Sequence, residues 1–594
     1  MLLFLLVIVL GAAGPSPSPS PLPEIAHVYT SDRTDETLNN SARTTYIVTH
    51  ADIARHGYRT VGEALENLPA FEFSPYGAIG SAAQYGVRGN NSAQVLVLVD
   101  GLPAPGSFAN SVELGTMPLT GIDRIELVEG GGSTLYGTGA IGGIINVITQ
   151  RKAADGVTLR AGSFSDSSFE LRTPNIQFSR IVARNNFTLP DGTSRPNSDY
   201  QNSALHANFG THIGSFAAVL RAEISSARGG APGPVEFTSL TSRQRDLNAG
   251  ANLTLTRKSP QAETTLQFGG TRQQITFGCN AVTDPNCFQD TESLDTEARF
   301  DFGARNVVSG NNEQLLYGID LARGTVRGDS GGLFSTNSFA QAAAYVQQKF
   351  STRWGSAYAG VRGERDGSLG GEFSPSAGFV VRLSNEASLK GNIATAFRAP
   401  DASELFFPFF GNPALKPERA KVADLTLLDS RLLGGVSLGW FDNRTNNLIV
   451  TTLIDPVNFI FAPENVGHAL IEGLTLDAKT RSLHGFTASF NITDLYRAEN
   501  LDAKTRLPDD PIFTASLGLD YAGGGFVEAF GTSVHSVGAH GPAGFTRADA
   551  YLSLRAAPNV LFTLRAYNFG NARYEAVNGF PMPGRTFAFE LSTR

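Results

Sequence analysis

The stretch "SAGFVVRLSNEASLKGNIATAFRAP", residues 376–400, alternates in polarity on both sides of a tight turn. In its first half Ala377, Phe379 and Val381 fall on one face, and the residues between them fall on the other. After the turn at 384–386 the alternation resumes. A period of two is the signature of a β-strand whose two faces meet different surroundings. We therefore predict two strands joined by a short hairpin turn.

The same alternation continues from about residue 155 to residue 594, with turns or longer polar loops between the segments. It predicts a transmembrane β-barrel, with lipid outside and polar groups inside, that closes because an open edge in lipid leaves backbone groups unpaired. Strands of roughly 9–11 residues, with about as much again per connection, predict about 22 antiparallel strands. A set of soluble β-sandwiches is the alternative, and the lack of domain-sized breaks in this stretch argues against it.

The composition excludes several other classes of protein. Charged residues make up 17% of the 594 residues, and the mean hydropathy of −0.09 is too low for a bundle of membrane helices. A net charge of −8 without a basic stripe argues against a nucleic-acid-binding protein. The chain contains no ordered nucleophile–base set and no nucleotide-binding motif, so we do not expect an enzyme.

Two regions precede the alternating segments. Residues 1–14, "MLLFLLVIVLGAAG", resemble a secretory signal peptide, although the usual basic start is missing. Residues 15–45 begin with the Pro/Ser spacer Pro15–Pro23 and continue with "EIAHVYT", which reads as a strand. Such an isolated strand is either the first strand of the next domain or an edge offered to a partner for strand addition.

Residues 46–152 have the pattern of a compact mixed α/β domain. We predict short helices at 51–56 and 60–68, the second with Thr60 and Glu63 at capping-box spacing. The strand "QVLVLVDG" follows, and a Gly-rich run at 130–137 lacks the lysine of a phosphate-binding loop. A compact domain in front of a wide barrel predicts that this domain fills the lumen and stops it leaking.

The chain resembles TonB-dependent outer-membrane receptors over nearly its whole length, and four stretches, in this order, carry the resemblance. They are "ADIARHGYRTVGEALENLPAFEF" with "YGVRGNNSAQVLVLVDG", "IDRIELVEGGGSTLYGTGAIGGIINVITQR", "ATAFRAPDASELFFPFFGNPALKPERA" and "YNFGNARYEAVNGFPMPGRTFAFEL". The chain resembles most closely the cobalamin and ferric-siderophore branch of that family. The resemblance identifies residues 46–152 as a plug domain and residues 155–594 as the barrel.

The resemblance implies energised import of a scarce metal chelate, with a ferric siderophore as the first expectation and cobalamin as the second. A passive, porin-like channel is the alternative from a different class. The implied partner is TonB with its inner-membrane complex, and we expect a monomer in the lipid bilayer without an intrinsic cofactor. By position, the TonB box consists of Glu24, Ile25, Ala26, His27, Val28, Tyr29 and Thr30, although His27 interrupts the expected apolar run.

Charged residues of the plug are expected to form ion pairs within the plug or with the barrel wall. The candidates are Arg88, Arg124, Glu126 and Glu129. We expect these pairs to be accessible to water, so that they break under force without a large desolvation penalty. Ordinary solvated surface charge is the alternative.

Aromatic residues on the outward-facing loops are the candidates for ligand contact, since aromatic faces hold a flat or apolar chelate and exclude water. They are Tyr76, Tyr85 and Phe108 in the plug and Phe406, Phe407, Phe409 and Phe410 in the barrel. For the barrel cluster, an aromatic girdle at the membrane interface is an equally good interpretation.

The two cysteines, Cys279 and Cys287, are close enough in sequence to close a small disulfide loop in an oxidising compartment. A pair of free thiols is the alternative. Calcium binding by the nearby Asp284, Asp290 and Asp295 fits no EF-hand spacing, so surface carboxylates are the default. His535 and His540 are candidates for contact with a metal chelate, although isolated histidines are more often incidental.

Overall fold

The computed structural model describes residues 27–107, 112–287, 293–330, 333–367, 370–407, 410–455, 460–507, 511–538 and 543–593. The signal-peptide prediction and the Pro/Ser spacer lie outside these residues. Two units follow one another along the chain: a small N-terminal domain built on mixed sheets, and a closed barrel that surrounds it.

In the part of the N-terminal domain that the structure describes, there are ten strands. They are β1 (His27–Val28), β2 (Glu36–Thr37), β3 (Thr45–Thr49), β4 (Phe71–Pro75), β5 (Ala83–Val87), β6 (Asn90–Asn91), β7 (Val95–Val99), β8 (Leu102–Pro103), β9 (Ile122–Glu129) and β10 (Gly143–Thr149). The central sheet has the order β3-β9-β10-β7-β8, in which only β10 and β7 run parallel. Its buried strand β7 is the apolar run that the sequence indicates, and both of its faces are covered.

Three short helices complete the plug: α1 (His50–His56), α2 (Val61–Leu65) and α3 (Ser133–Tyr136). Helix α1 has a full capping box, in which the Thr49 and Asp52 side chains each accept from the other's backbone N–H. The predicted box of α2 is only half formed, since Thr60 accepts from the backbone of Glu63 while the Glu63 carboxylate turns to Arg59. Helix α2 ends before the predicted residue 68, because a residue that precedes a proline disfavours helical dihedrals.

The barrel strands run in order around the wall. They are β11 (Gly156–Gly162), β12 (Ser167–Arg172), β13 (Ile176–Ala183), β14 (Tyr200–Ile213), β15 (Phe216–Gly230), β16 (Arg243–Lys258), β17 (Ala262–Gly278), β18 (Ser293–Ser309), β19 (Glu313–Ser330), β20 (Leu333–Thr352), β21 (Gly355–Asp366), β22 (Gly370–Arg382), β23 (Ala387–Arg398), β24 (Glu418–Asp429), β25 (Gly434–Asp455), β26 (Ile460–Thr480), β27 (Phe486–Asn500), β29 (Phe513–Ala522), β30 (Val527–Val537), β31 (Phe545–Ala557), β32 (Val560–Tyr567) and β35 (Thr586–Thr593), with the short β28 (Thr505–Arg506) beside β27 and the hairpin β33 (Glu575–Val577) and β34 (Phe580–Pro581) in the last loop. Strand β35 pairs with β11 and closes the barrel. Within the described residues the barrel is antiparallel with 22 strands, which confirms the prediction.

The alternation in the opening stretch has the predicted meaning. On β22 the side chains of Phe379 and Val381 are 38% and 43% exposed on the outer face, whereas Val380 between them is 2% exposed. The strand ends near residues 172–176, 352–355 and 557–560 are joined by short turns, and those at the opposite rim by longer loops. In outer-membrane barrels the short turns face the periplasm, which gives the barrel its orientation.

Helices contribute little outside the plug. The barrel carries α4 (Ala402–Phe406) in the loop after β23, and short 3-10 turns occur at Leu38–Asn40, Ser92–Gln94, Ser163–Ser165 and Val235–Phe237. No helix in the described ranges is long and apolar enough to cross a bilayer. The apolar core of the plug lies between its central sheet, α1, α2 and the β4–β5 hairpin, with Val61, Leu65 and Ile125 almost fully buried.

Candidate functional site

The N-terminal segment 27–44 lies inside the barrel lumen and is hydrogen-bonded to the plug sheet. The backbone N–H groups of Tyr29 and Thr30 donate to one oxygen of Glu126 at 3.0 and 2.8 Å, and the Thr30 hydroxyl donates to the same oxygen at 2.6 Å. The Tyr136 hydroxyl donates to the Thr30 carbonyl at 3.0 Å. The second half of the candidate TonB box is therefore attached to the plug, while Glu24, Ile25 and Ala26 lie outside the described residues.

The same segment is held to the barrel wall by buried ion pairs. The Lys349 ammonium on β20 lies 3.2 Å from Asp32 and also contacts Glu36. Burial, the largest single effect, raises the pKa of Asp32, but the charges of Lys349 and Arg43 and the hydrogen bonds from Glu36 and Gln347 together outweigh it and lower that pKa to about 2. Arg33 donates to both oxygens of Asp320 on β19 at 3.2 Å. These charges are paired and shielded from water, which makes their separation costly.

The four predicted ion-pair residues meet one another within the plug and not across to the barrel. Arg88 contacts Glu129 at 2.6 Å, and Arg124 contacts Glu126 at 2.8 Å. The expectation of water access is wrong for the first pair, whose side chains are 3% and 0% exposed. The barrel wall shields this pair from water, since the Arg88 guanidinium lies 4.7 Å above the ring of Phe441 on β25.

Other charged residues connect the plug to the barrel, and the sequence reasoning did not find them. Arg547 contacts Glu66 at 2.8 Å, and Arg221 contacts Asp100 at 2.9 Å. Glu418 accepts from the Gln94 amide at 2.9 Å. Glu418 lies in the "LKPE" element quoted above, and that element was the available signal for one of the three contacts.

The aromatic candidates for ligand contact separate into different environments. Tyr85 is a residue of the plug core, because its position on β5 turns its ring inward, and it reaches only the edge of a cavity. Tyr76 packs edge to face on Phe580 of the last long loop, with ring centroids 4.8 Å apart. Phe108 lies outside the described residues.

The barrel aromatic cluster is partly buried among neighbouring loops. Phe406 packs on the cluster of Leu405, Leu415 and Ile449, and Phe407 borders a small cavity against β18 and β19. Phe410 follows at the end of the same loop and is partly exposed, and Phe409 lies outside the described residues. Phe406 and Phe407 thus pack the loop after β23 against the barrel rim.

Among the described residues several cavities border the plug, and three of them bear on the site. One of about 120 Å³ lies on the outer side between β7 and the wall, next to Arg299 and Asp401. A second of about 180 Å³ lies below the last long loop and the plug loop 77–81. The third, of about 620 Å³, reaches the periplasmic rim between α1 and strands β11, β12 and β35. No cluster of three or more His, Cys, Asp or Glu side chains suited to a metal ion occurs among the described residues.

Cys279 and Cys287 are joined in a disulfide within the long loop after β17. Asp284 in the same loop accepts hydrogen bonds from the hydroxyl of Ser239 and the backbone of Leu240 and Thr241. Protein donors therefore already occupy this carboxylate, while Asp290 lies outside the described residues. Asp295 stands at the start of β18.

Of the two candidate histidines, the structure describes His535. His535 is buried on β30 and shares a hydrogen bond with the Ser516 hydroxyl at 2.9 Å. Its ring is therefore part of the plug-facing wall and does not line the outer mouth of the barrel. His540 lies outside the described residues.

Comparisons with known proteins agree with this architecture. The family model "TonB dependent receptor-like, beta-barrel" matches residues 180–569, and "TonB-dependent Receptor Plug Domain" matches residues 37–144. The vitamin B12 transporter BtuB of Photobacterium profundum is 25% identical over 514 residues, which cover 82% of this chain and 80% of that protein.

Solved structures show the same fold at low identity. The ferric enterobactin receptor PfeA of Pseudomonas aeruginosa has a TM-score of 0.75 at 17% identity, covering 92% of this chain and 99% of its own. The siderophore receptor PirA of Acinetobacter baumannii has a TM-score of 0.75 at 16% identity, covering 92% and 98%. The 22-strand barrel, the plug in its lumen and the two matching family models establish that the chain belongs to the TonB-dependent receptors of the outer membrane.

Proposed function

We propose that this receptor imports a metal chelate across the outer membrane, and that TonB supplies the energy by pulling on the segment at Glu24–Thr30. The observation that carries the proposal is the attachment of Tyr29 and Thr30 to Glu126, a buried residue of the central plug strand β9. Tension applied upstream of Tyr29 passes through these bonds into the middle of the plug sheet. A passive pore needs neither the attachment nor the stopper.

Two classes of ligand, corrinoids and ferric siderophores, are candidates for the imported chelate. The curated relatives that cover most of this chain are vitamin B12 transporters, so a corrinoid is the first ligand to test. The sequence expectation places a ferric siderophore first, and the solved structures that resemble the chain share its fold at 16–17% identity. We therefore place cobalamin first and a ferric siderophore second, both as chelates too large for simple diffusion.

The test is uptake of radiolabelled cyanocobalamin and of ferric enterobactin by a host strain that lacks its own receptors. Deletion of residues 24–30 is expected to lower uptake at least tenfold while binding to the purified protein remains, since the outer loops are untouched. Deletion of seven spacer residues, 16–22, is the matched control and leaves uptake intact. Uptake that survives the first deletion, or that persists when the proton gradient is collapsed, would show a passive channel instead.

A further inference from the structure

The cavity below the last long loop and the large periplasmic cavity are separated by a single layer of side chains. Tyr58, Arg59 and Arg160 line both of them. The upper cavity continues to the plug loop 77–81 at the outer rim, and the lower one continues to the turn at 522–523 at the periplasmic rim. Together they follow one wall of the barrel and leave one partition between its two ends.

The partition consists of the C-terminal turn of α1 resting on two barrel arginines. Arg565 on β32 donates to the backbone carbonyls of Arg55 at 2.8 Å and Ala54 at 3.0 Å, and Arg160 on β11 donates to the carbonyl of Gly57 at 3.2 Å. These arginines satisfy carbonyls that the end of a helix leaves unpaired. Gly57 has a φ of 68°, and a Cβ there would lie 2.2 Å from the Arg565 guanidinium carbon.

Separation of this contact leaves no charge without a partner. Arg565 also contacts Glu590 at 3.2 Å, and Arg160 also lies 3.5 Å from Asp166, so both guanidiniums keep a carboxylate when the turn moves. The lost contacts are hydrogen bonds to neutral carbonyls and the pair of Arg59 with Asp166 at 2.9 Å. When that pair separates, Arg59 keeps Glu63 at 2.7 Å and Asp166 keeps Arg160 at 3.5 Å. On the opposite wall, movement of the segment at Asp32 and Glu36 leaves the Lys349 charge unpaired.

From this difference we propose that the ligand crosses the barrel along the wall of β11, β12, β31, β32 and β35, through an opening made when the turn at 57–59 leaves Arg160 and Arg565. The proposal rests on the transport function proposed above and assigns its route. The rest of the plug stays attached to the wall of β20–β25 during passage.

The exposed partition would recognise oxygen acceptors. Moving the turn frees the donors of Arg160 and Arg565 that now contact carbonyls, and the Arg160 Nε is buried with no hydrogen-bond partner in the resting structure. Amide and carboxylate groups of a chelate are suitable acceptors for a guanidinium. The route therefore favours a ligand whose rim carries amides or carboxylates over an apolar one.

The first experiment links the plug by a disulfide to strand β23, on the wall that is proposed to stay attached. A Cβ added at Gly131 would lie 3.5 Å from the Cβ of Ala396, a separation that suits a disulfide. The pair Gly131→Cys and Ala396→Cys therefore joins the plug to β23. The oxidised double variant is expected to keep at least half of the uptake that the same cells show after reduction. A tenfold or greater loss on oxidation that is regained on reduction would overturn the proposal. The matched control, Gly162→Cys with Ala588→Cys, joins two wall strands at a Cβ separation of 3.3 Å.

The second experiment detects the opening directly and does not require transport. Ser553 on β31 lines the lower cavity, so Ser553→Cys reports whether a bulky maleimide excluded by the outer membrane reaches it from outside. Labelling is expected to rise at least fivefold in cells with an intact proton gradient and added cyanocobalamin, or added ferric enterobactin. Thr426→Cys on the opposite wall, where Thr426 contacts Thr44, stays protected. Labelling of Thr426→Cys without Ser553→Cys, or of neither, would overturn the route.

Failure of the proposed function is distinguishable from failure of the route. If the parent protein takes up neither probe, the ligand assignment fails, while energised labelling of Ser553→Cys still reports the opening. If the parent transports a probe and the oxidised double variant does not, the function stands and the route is wrong.

Discussion

The plug meets two opposite parts of the barrel wall in different ways. Against β19 and β20, segment 27–44 is held by mostly buried charges that neutralise one another, as at Lys349 with Asp32 and Arg33 with Asp320. Against β11 and β32, the barrel arginines hold backbone carbonyls at the end of α1, and a cavity of about 620 Å³ remains below them. The one ion pair at this contact, Arg59 with Asp166, has members that each keep a second partner, Glu63 and Arg160.

This difference shows that a stopper need not be equally attached on all sides. A buried ion pair is costly to separate, because each charge left unpaired in a poorly solvated environment raises the free energy of the protein by several kcal/mol. A guanidinium that keeps its carboxylate while releasing a carbonyl loses only a hydrogen bond, about 1.5–3 kcal/mol for a charged donor. One wall is therefore suited to anchoring and the other to opening, and the following variants test that contrast.

The largest effect is expected from Lys349→Met, which removes the cation that contacts both Asp32 and Glu36. Loss of one partner of a buried pair costs about 3–5 kcal/mol, so amide exchange in residues 28–44 should accelerate about a hundredfold or more. Hydrogen exchange with mass spectrometry measures this. Lys258→Met is the control, since its pair with Glu263 is largely exposed at 72% for the lysine. Equal protection in both variants would contradict the anchoring role.

A smaller effect is expected from Arg565→Ala, which removes two hydrogen bonds to the end of α1. Exchange of the amides at 54–58 should accelerate about tenfold, in keeping with about 1.5–3 kcal/mol for bonds to a charged donor. Segment 28–44 should be unchanged. Arg431→Ala, in an exposed periplasmic turn, is the control of the same residue type.

Gly57→Ala sharpens the same test through a double-mutant cycle. Alanine at a φ of 68° is strained, by about 1–3 kcal/mol, and its Cβ also collides with the Arg565 guanidinium. In the Arg565→Ala background the collision disappears and only the backbone strain remains. The two changes should therefore cost less together than the sum of their separate costs. Strict additivity of the exchange free energies would mean that the two groups do not meet.

The smallest effect concerns pH. Burial is the main cause that raises the pKa of Glu113 to about 7, and the negative charge of Asp246 nearby acts in the same direction. The folded plug thus holds this proton more tightly than the unfolded chain, so the stabilisation is complete below the ordinary value near 4.5 and is lost as pH rises through 7. After correction for intrinsic exchange, amides near Ala83, which donates to Glu113, should be less protected at pH 8 than at pH 5.

Glu113→Gln should flatten this pH profile, because the amide is neutral throughout the range. The exposed Glu236→Gln is the matched control and should leave the profile of the parent protein. A profile that persists in Glu113→Gln would assign the pH dependence to another group.

Much of the architecture follows from local sequence patterns. Alternation at Phe379, Val380 and Val381 identifies which side of a strand meets lipid, and segment lengths predict the number of strands. The capping residue Thr60 locates the start of α2, and the predicted start of the first plug helix at residue 51 lies one residue from the observed start at His50. These features depend on neighbours a few positions away, so a single sequence contains the information.

The partners across the lumen follow no such pattern. The sequence predicts an ion pair for Glu126, and one carboxylate oxygen does contact Arg124. The other oxygen accepts a hydrogen bond from Thr30, 96 positions away, which no local pattern indicates. Arg565 and Gly57 are separated by 508 positions in the chain and meet only because the barrel closes around the plug. The sequence predicts that Tyr85 contacts the ligand, whereas in the structure it is a residue of the plug core. The side of β5 that faces the core depends on the sheet packed behind it, which the local sequence does not indicate.

The sequence by itself therefore determined a closed lipid-facing wall, its size and a compact domain to fill it, because hydrophobic periodicity and turn chemistry act over short distances. Only the tertiary structure decided how the plug is rotated inside the wall, and with it which charges are buried in pairs and where a cavity remains. That rotation is set by the sum of many contacts between residues far apart in the chain, and no local pattern records it.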